Sequence, residues 1–314
     1  MSTGEPHQVS SPSPSPKTPS QNGPSATSGN SSKNAAPPYL DWNGSLEILR
    51  NAYESGLFVL VIGPKGTGKT SLVREFARIT GERTGRENDG LESINFSLRT
   101  RESHLVGSKT LSGGDVTFEE GILVRSMRGG GMLYLDEINA AEADVLLRLD
   151  EALDDRRQLV LKESSAMEIV RAGSDWFVVA TINPLTHSGT KELPPQLLSR
   201  FPVRIKLEYP PEDVEIEIVR AHFGDSHDGA GRGEDIMQAV KLANTLRQAA
   251  AVEELFYSPS IRETIAFAKL LGRGVPARKA ADWVFGNVYA QWGQIEHQKV
   301  SDVITSMFGE REPA

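Results

Sequence analysis

The 314-residue chain contains no cysteine. Disulfides, thiolate metal sites and cysteine nucleophiles are therefore excluded. It has no apolar run long enough for a transmembrane helix; the longest one near its glycine-rich motif, Leu57 to Ile62, is strand-sized. The basic-then-apolar order of a secretory leader is missing from its N-terminal residues. It lacks an excess of positive charge, the formal net charge being -8, so it has no general attraction for nucleic-acid backbones or anionic membranes. These features together predict a cytoplasmic protein with no membrane insertion.

What is present is ample for a core, since 38% of the residues are hydrophobic. Residues 1–38, rich in Ser, Pro, Asn, Gly and Thr, hold too few large apolar side chains to offset their ordering entropy and read as a disordered tail. From 39 to 209 continuously apolar strands alternate with helices, the pattern of an α/β domain with a parallel sheet covered on both faces. The strands expected are those at 57–62, 94–96, 132–136, 176–181 and 203–207, with a hairpin from 159–161 and 168–170; the stretch 98–131 resists assignment. After Pro210 and Pro211 the pattern becomes all-helical to residue 314, with helices near 211–223, 234–251, 259–271, 277–291 and 298–308.

The most specific motif is GPKGTGKT, Gly63 to Thr70, between a buried strand and an amphipathic helix. It fits the G-x-x-x-x-G-K-[ST] P-loop. Its glycines let backbone N–H groups curl around phosphates, and the helix that follows presents its positive end to them. Gly63, Pro64, Lys65, Gly66, Thr67, Gly68, Lys69, Thr70 and the adjoining Ser71 form the candidate phosphate site. Lys69 would contact the β- and γ-phosphates and Thr70 would ligate Mg²⁺; the Lys65 side chain reads as a solvated charge. In MLYLDEIN an apolar strand delivers Asp136 and Glu137 to its carboxyl end, where ligands sit in open α/β sheets. Asp136 would hold Mg²⁺ through water, and Glu137 would orient the attacking water. Paired acids there also suit a helix N-terminus, and the upstream P-loop favours the catalytic reading.

Three further motifs leave alternatives open. VVATINP ends a strand at Asn183, whose amide either helps place the lytic water or starts a turn before Pro184. Arg200 in LPPQLLSRFPVRI is either a surface arginine or one that reaches a neighbouring subunit's γ-phosphate. In SPSIRETIAFAKLL, Arg262 lies in a helical first turn, where the dipole disfavours a cation, which suggests a task such as contacting nucleotide.

In this order the five motifs resemble those of the AAA+ superfamily, with the closest likeness to its MoxR and dynein-related group, which includes ATPases paired with gas-vesicle, nitric-oxide-reductase and Rubisco-activating systems. The likeness spans roughly Leu46 to Phe308. It implies a P-loop αβα sandwich with a small helical lid, ATP and Mg²⁺ as ligands, and ATP hydrolysis in a homo-oligomeric, hexameric ring acting on a protein client. It assigns Walker A to Gly63–Thr70, Walker B to Asp136 and Glu137, sensor 1 to Asn183, an arginine finger to Arg200 and sensor 2 to Arg262. It places a client- or pore-facing insertion before Walker B and a second such element at 157–172. It also implies a partner with a von Willebrand A domain. ATINP and LLSRF look more like the dynein-related side than the ATQNP and LDRF usual in MoxR proteins. A GTP-using nucleic-acid motor with a basic pore at Arg125, Arg128, Lys162 and Arg171 is the first alternative, and nucleic acid is not the expected partner. A scaffold without turnover is the second.

Overall fold

A computed structural model describes residues 39–112, 115–162, 167–184, 191–222 and 232–309; the tail expected at 1–38 lies outside them. The first lobe runs α1 (Ser45–Glu54), β1 (Val59–Ile62), α2 (Lys69–Thr84), β2 (Glu92–Asn95), α3 (Glu102–Leu105), β3 (Gly107–Ser112), β4 (Asp115–Glu120), α4 (Ile122–Gly129), β5 (Met132–Asp136), α5 (Ala143–Ala152), β6 (Gln158–Leu161), β7 (Glu168–Arg171), β8 (Phe177–Ile182), α6 (Pro195–Ser199) and β9 (Val203–Lys206). The helices that follow are α7 (Glu212–Ala221), α8 (Arg232–Ala251), α9 (Ile261–Gly272), α10 (Ala277–Ala281) and α11 (Gln294–Phe308).

Five strands form one parallel sheet in the order β2-β5-β8-β1-β9. Alternate residues of each strand point to opposite faces, and both faces are apolar. Leu60, Leu133, Leu135, Val178 and Ala180 join one core with side chains of α4 and α5. Val59, Val61, Met132, Tyr134, Phe177 and Val179 join the other with Leu49 and Ala52 of α1 and Leu72, Val73, Phe76 and Ala77 of α2. The i, i+1, i+4, i+5 spacing in α2 is what lays one apolar stripe on the sheet. Two antiparallel hairpins, β3–β4 and β6–β7, stand apart from this sheet.

The helices after Pro211 bury a core of their own around Val240, Leu246, Phe267, Phe285, Tyr289 and Ile304. Here the sequence expectation of one helix over 277–291 needs correcting. α10 stops at Ala281, followed by one π-helical turn (Asp282–Gly286) and a 3-10 stretch (Asn287–Trp292). Gly286, a weak helix former, sits where the register changes. No helix among the described residues is long and apolar enough to cross a membrane.

Candidate functional site

The site lies at the carboxyl ends of β1, β5 and β8. β1 runs into the turn Gly63–Gly68, and α2 begins at Lys69. Gly66 and Gly68 adopt φ of 74° and 93°, a left-handed backbone that side-chain-bearing residues avoid. Gly66 is further restricted by α9: a Cβ there would stand 2.2 Å from Cβ of Ser260. Thr67 is buried and its Oγ1 donates to Pro64 O at 3.0 Å, tightening the turn. Lys65 and Ser71 are exposed.

Lys69 is only 7% exposed. Its Nζ donates to Gly63 O (2.7 Å), Pro64 O (2.8 Å) and Asn183 Oδ1 (2.9 Å). Burial pulls its pKa down to about 8; the carboxylates of Asp136 and Glu137 counter part of that drop, and the positive charges of Arg262 and Lys65 add to it. The ammonium thus sits in a socket of carbonyl oxygens facing two acids. Such a buried cation gains from an anionic ligand that completes its pairing, which is how phosphate fits this loop.

Asp136 ends β5 and is held by three donors. Tyr134 Oη and Thr181 Oγ1 donate to its Oδ1 at 2.7 and 2.6 Å, and Asn95 Nδ2 donates to its Oδ2 at 3.3 Å. Tyr134 also lies 3.2 Å from Thr70 Oγ1. Since the single phenolic proton is given to Asp136, Thr70 is the donor in that contact. Burial keeps the Tyr134 phenol neutral, its pKa well above the ordinary value. Glu137 takes a left-handed backbone, φ 57°, and its N–H donates to Thr181 Oγ1 at 2.9 Å. That conformation costs a non-glycine residue roughly 1–2 kcal/mol; the Thr181 bond and the 3-10 turn Ile138–Ala140 hold it in place.

Thr70 and Asp136 fit Mg²⁺. The ion takes one or two carboxylates and fills its shell with waters and phosphate oxygens, and no cluster of three or more His, Asp or Glu occurs among the described residues. One hydroxyl, one carboxylate and a phenol between them meet that requirement.

Asn183, 2% exposed, is clamped by Asn139: Asn139 Nδ2 donates to its carbonyl at 2.9 Å, and its N–H donates to Asn139 Oδ1 at 3.4 Å. The structure therefore brings Lys69, Asp136, Glu137 and Asn183 together. Arg262 is exposed on the first turn of α9, and its charge acts on Lys69. Arg200 is not in this group. It caps α6, and its Nε donates to Asp150 Oδ1 at 2.9 Å.

Tyr134, Thr181, Asn139 and Asn95 were not singled out from the sequence. Strand parity was the usable signal for Tyr134, two residues before Asp136 and so on the same side of β5. Thr181 is a polar residue in an apolar strand. Nothing local marks Asn95 or Asn139.

The same region matches a family model. Residues 58–201 fit the AAA domain of the dynein-related subfamily. Protein NorQ of Paracoccus denitrificans is 30% identical over 79% of this chain and 85% of its own length. The chain belongs to the MoxR-type AAA+ ATPases. The denitrification regulatory protein NirQ of Pseudomonas aeruginosa is 29% identical over 79% of this chain and 89% of that protein. BssE of Thauera aromatica, described as a candidate chaperone, is 28% identical over 78% and 82%. For this MoxR-type ATPase, nucleotide binding at the P-loop follows from the family, and the five-stranded parallel sheet followed by helices is the family's fold.

Proposed function

We propose that this ATPase is a chaperone-like remodelling enzyme that hydrolyses ATP at sites shared between subunits of a homo-oligomeric, six-membered ring and acts on a protein client. In this reading residues 39–209 and 210–314 are its nucleotide-binding and lid domains. The observation that carries the shared site is the separation of Arg200 from the Lys69–Asp136–Glu137–Asn183 group. A protomer holds a binding loop, two acids and a polar amide, while its Arg200, which caps α6, bonds to Asp150 and to none of that cluster among the described residues. The description of the Thauera aromatica relative as a candidate chaperone supports the class of activity.

Thr70 and Asp136 would hold Mg²⁺, which would supply Lewis-acid stabilisation of phosphate charge. Lys69 leaves its carbonyl socket for the β- and γ-phosphates. Glu137 orients a water for in-line attack, and Asn183, fixed by Asn139, helps to place it. Arg262 approaches from the lid, and Arg200 of the adjacent protomer meets charge developing on the γ-phosphate. Nucleotide-dependent tilting of the lid moves the client-facing loops. A partner with a von Willebrand A domain and a cytoplasmic setting accompany this reading.

The nucleic-acid alternative loses support, because Arg125 is paired with Glu92, and Arg128 with Glu120 and Glu168.

Complementation tests the shared site. Glu137→Gln and Arg200→Ala should each bind ATP and hydrolyse it far more slowly than the parent, Arg200→Ala by about 10³-fold. Mixed together they should recover part of the activity, because some interfaces then combine an intact acid with an intact arginine. Parental turnover in Arg200→Ala would overturn the model.

A further inference from the structure

The side chain that holds Arg200 lies on a different helix from the rest of the site. α5 follows the Walker B turn, and Asp150 sits near its end. Both backbones are anchored: α5 by buried Val145 and Leu149, α6 by Leu197 and the residue after its cap by Phe201, all in the same core. Arg200 and Asp150 are each about three-quarters buried, with side-chain exposures of 25% and 28%. The contact is monodentate, from Nε to Oδ1 at 2.9 Å. Among the described residues neither Nη group of Arg200 has a hydrogen-bond partner.

That geometry has a consequence for a planar fork. A carboxylate that grips both Nη groups consumes the face used to bind phosphate. One that grips Nε alone fixes the rotation of the guanidinium about its stem and leaves the four Nη hydrogens free. An ion pair with no further role at such a partly exposed place adds little to stability.

We propose that Asp150 is a positioning residue for the shared site: by accepting from Nε of Arg200 it presets the free Nη fork toward the nucleotide of the adjacent protomer. This rests on the reading of Arg200 as an arginine acting in trans. Asp150 touches no substrate. Its effect passes through Arg200 of its own chain and is felt at the neighbour's site. The ordering cost of a long side chain is met before ATP arrives rather than in the transition state.

The test uses the full chain with Asp150→Ala, Asp150→Asn, Arg200→Ala, the Asp150→Ala/Arg200→Ala double variant and Glu137→Gln. Asp150→Ala should lower kcat on the order of 10–10²-fold, the range for a misplaced catalytic group, with the Kd for a fluorescent ATP analogue within about twofold of the parent. Asp150→Asn keeps an oxygen acceptor for Nε and should regain most of that loss. The double variant should be no slower than Arg200→Ala, because both changes act through one group. Asp150→Ala should regain activity when mixed with Glu137→Gln and not when mixed with Arg200→Ala. An acid that only stabilises the fold would lower the melting temperature without falling into that complementation class. Parental kcat in Asp150→Ala, while Arg200→Ala is inactive, would overturn the positioning role and leave the shared site standing. An Asp150→Asn variant as slow as Asp150→Ala would also overturn it. Parental kcat in Arg200→Ala would instead remove the trans reading on which the proposal rests.

Discussion

Lys69 is a cation kept in a buried socket, and its depressed pKa makes the site's protonation readable. Near pH 8 the nucleotide-free protein holds Lys69 partly neutral. Phosphates favour the charged form, so binding at pH 8.5 should take up a fraction of a proton, and affinity should fall as pH rises through that range. Calorimetry in two buffers of different ionisation enthalpy measures the uptake directly, and Lys69→Ala should lose both the uptake and the binding. Tyr134 offers a second test at this scale. Its phenol ties Thr70 to Asp136, so Tyr134→Phe removes the hydroxyl that orients both candidate Mg²⁺ ligands. Outer partners of metal ligands commonly matter by about 10- to 100-fold in affinity. The dissociation constant for Mn²⁺ in the presence of a non-hydrolysed ATP analogue should rise by about 10-fold, with the melting temperature little changed.

At the scale of elements, two contacts from residues beyond β9 brace the P-loop. Ser260, which caps α9 in a capping box with Glu263, packs against Gly66, and Tyr209 Oη donates to Lys65 O at 3.0 Å. Behind Tyr209 stands Arg247, 4.1 Å over its ring, bound to Glu215 at 2.6 and 3.0 Å and to Pro259 O at 2.8 Å. Thr264 of α9 donates to the same Glu215. One buried ion pair therefore joins α7, α8 and α9 to the residue that touches the loop. Removing one partner leaves an uncompensated buried charge, so Arg247→Ala should destabilise the protein by about 3–5 kcal/mol in urea unfolding. Gly66→Ala should act locally: its methyl group has no room beside Ser260 and its φ is unfavourable. Nucleotide binding should fail while the rest of the fold persists, as near-ultraviolet dichroism would show.

Periodicity made most of these elements legible. Buried strands such as Leu133–Leu135 and Val178–Ala180 are unbroken apolar runs, and the hairpin of β6 and β7 alternates. The stretch 98–131 was not legible, because α3 is a single turn, and Leu111 and Val116 on the β3–β4 hairpin are apolar yet exposed. The P-loop and the Walker acids could be read in the sequence because their chemistry is local to one turn and one strand end. The Asn139–Asn183 clamp and the Arg247–Glu215 pair could not, since each joins residues far apart along the chain.

For the whole molecule, the proposed division of the catalytic site between protomers would tie turnover to assembly. Specific activity should rise with protein concentration and with ATP, and light scattering on the same samples should report the growth in mass. A parent enzyme whose turnover per subunit is flat across a hundredfold dilution, with no change in mass, would count against the ring.

The strand order has its own consequence for how the chain acquires its shape. β1, which carries the P-loop, is synthesised first among the strands yet lies between β8 and β9. Val59 must wait for Val179 on one side and Val203 on the other. Closing such distant pairs is slow, because loop entropy is lost before any contact rewards it. On the ribosome, the phosphate loop therefore remains without a sheet to stand on until β8, which ends at Ile182, has emerged to link β1 to β5. A nascent chain halted after β7 has β2 and β5 available to pair with each other, while Leu57–Ile62 stays an unpaired apolar segment, a natural target for holdase chaperones. ATP can act as a folding ligand only once β1 has a neighbouring strand, with β9 closing the edge beside it after β8 is in place.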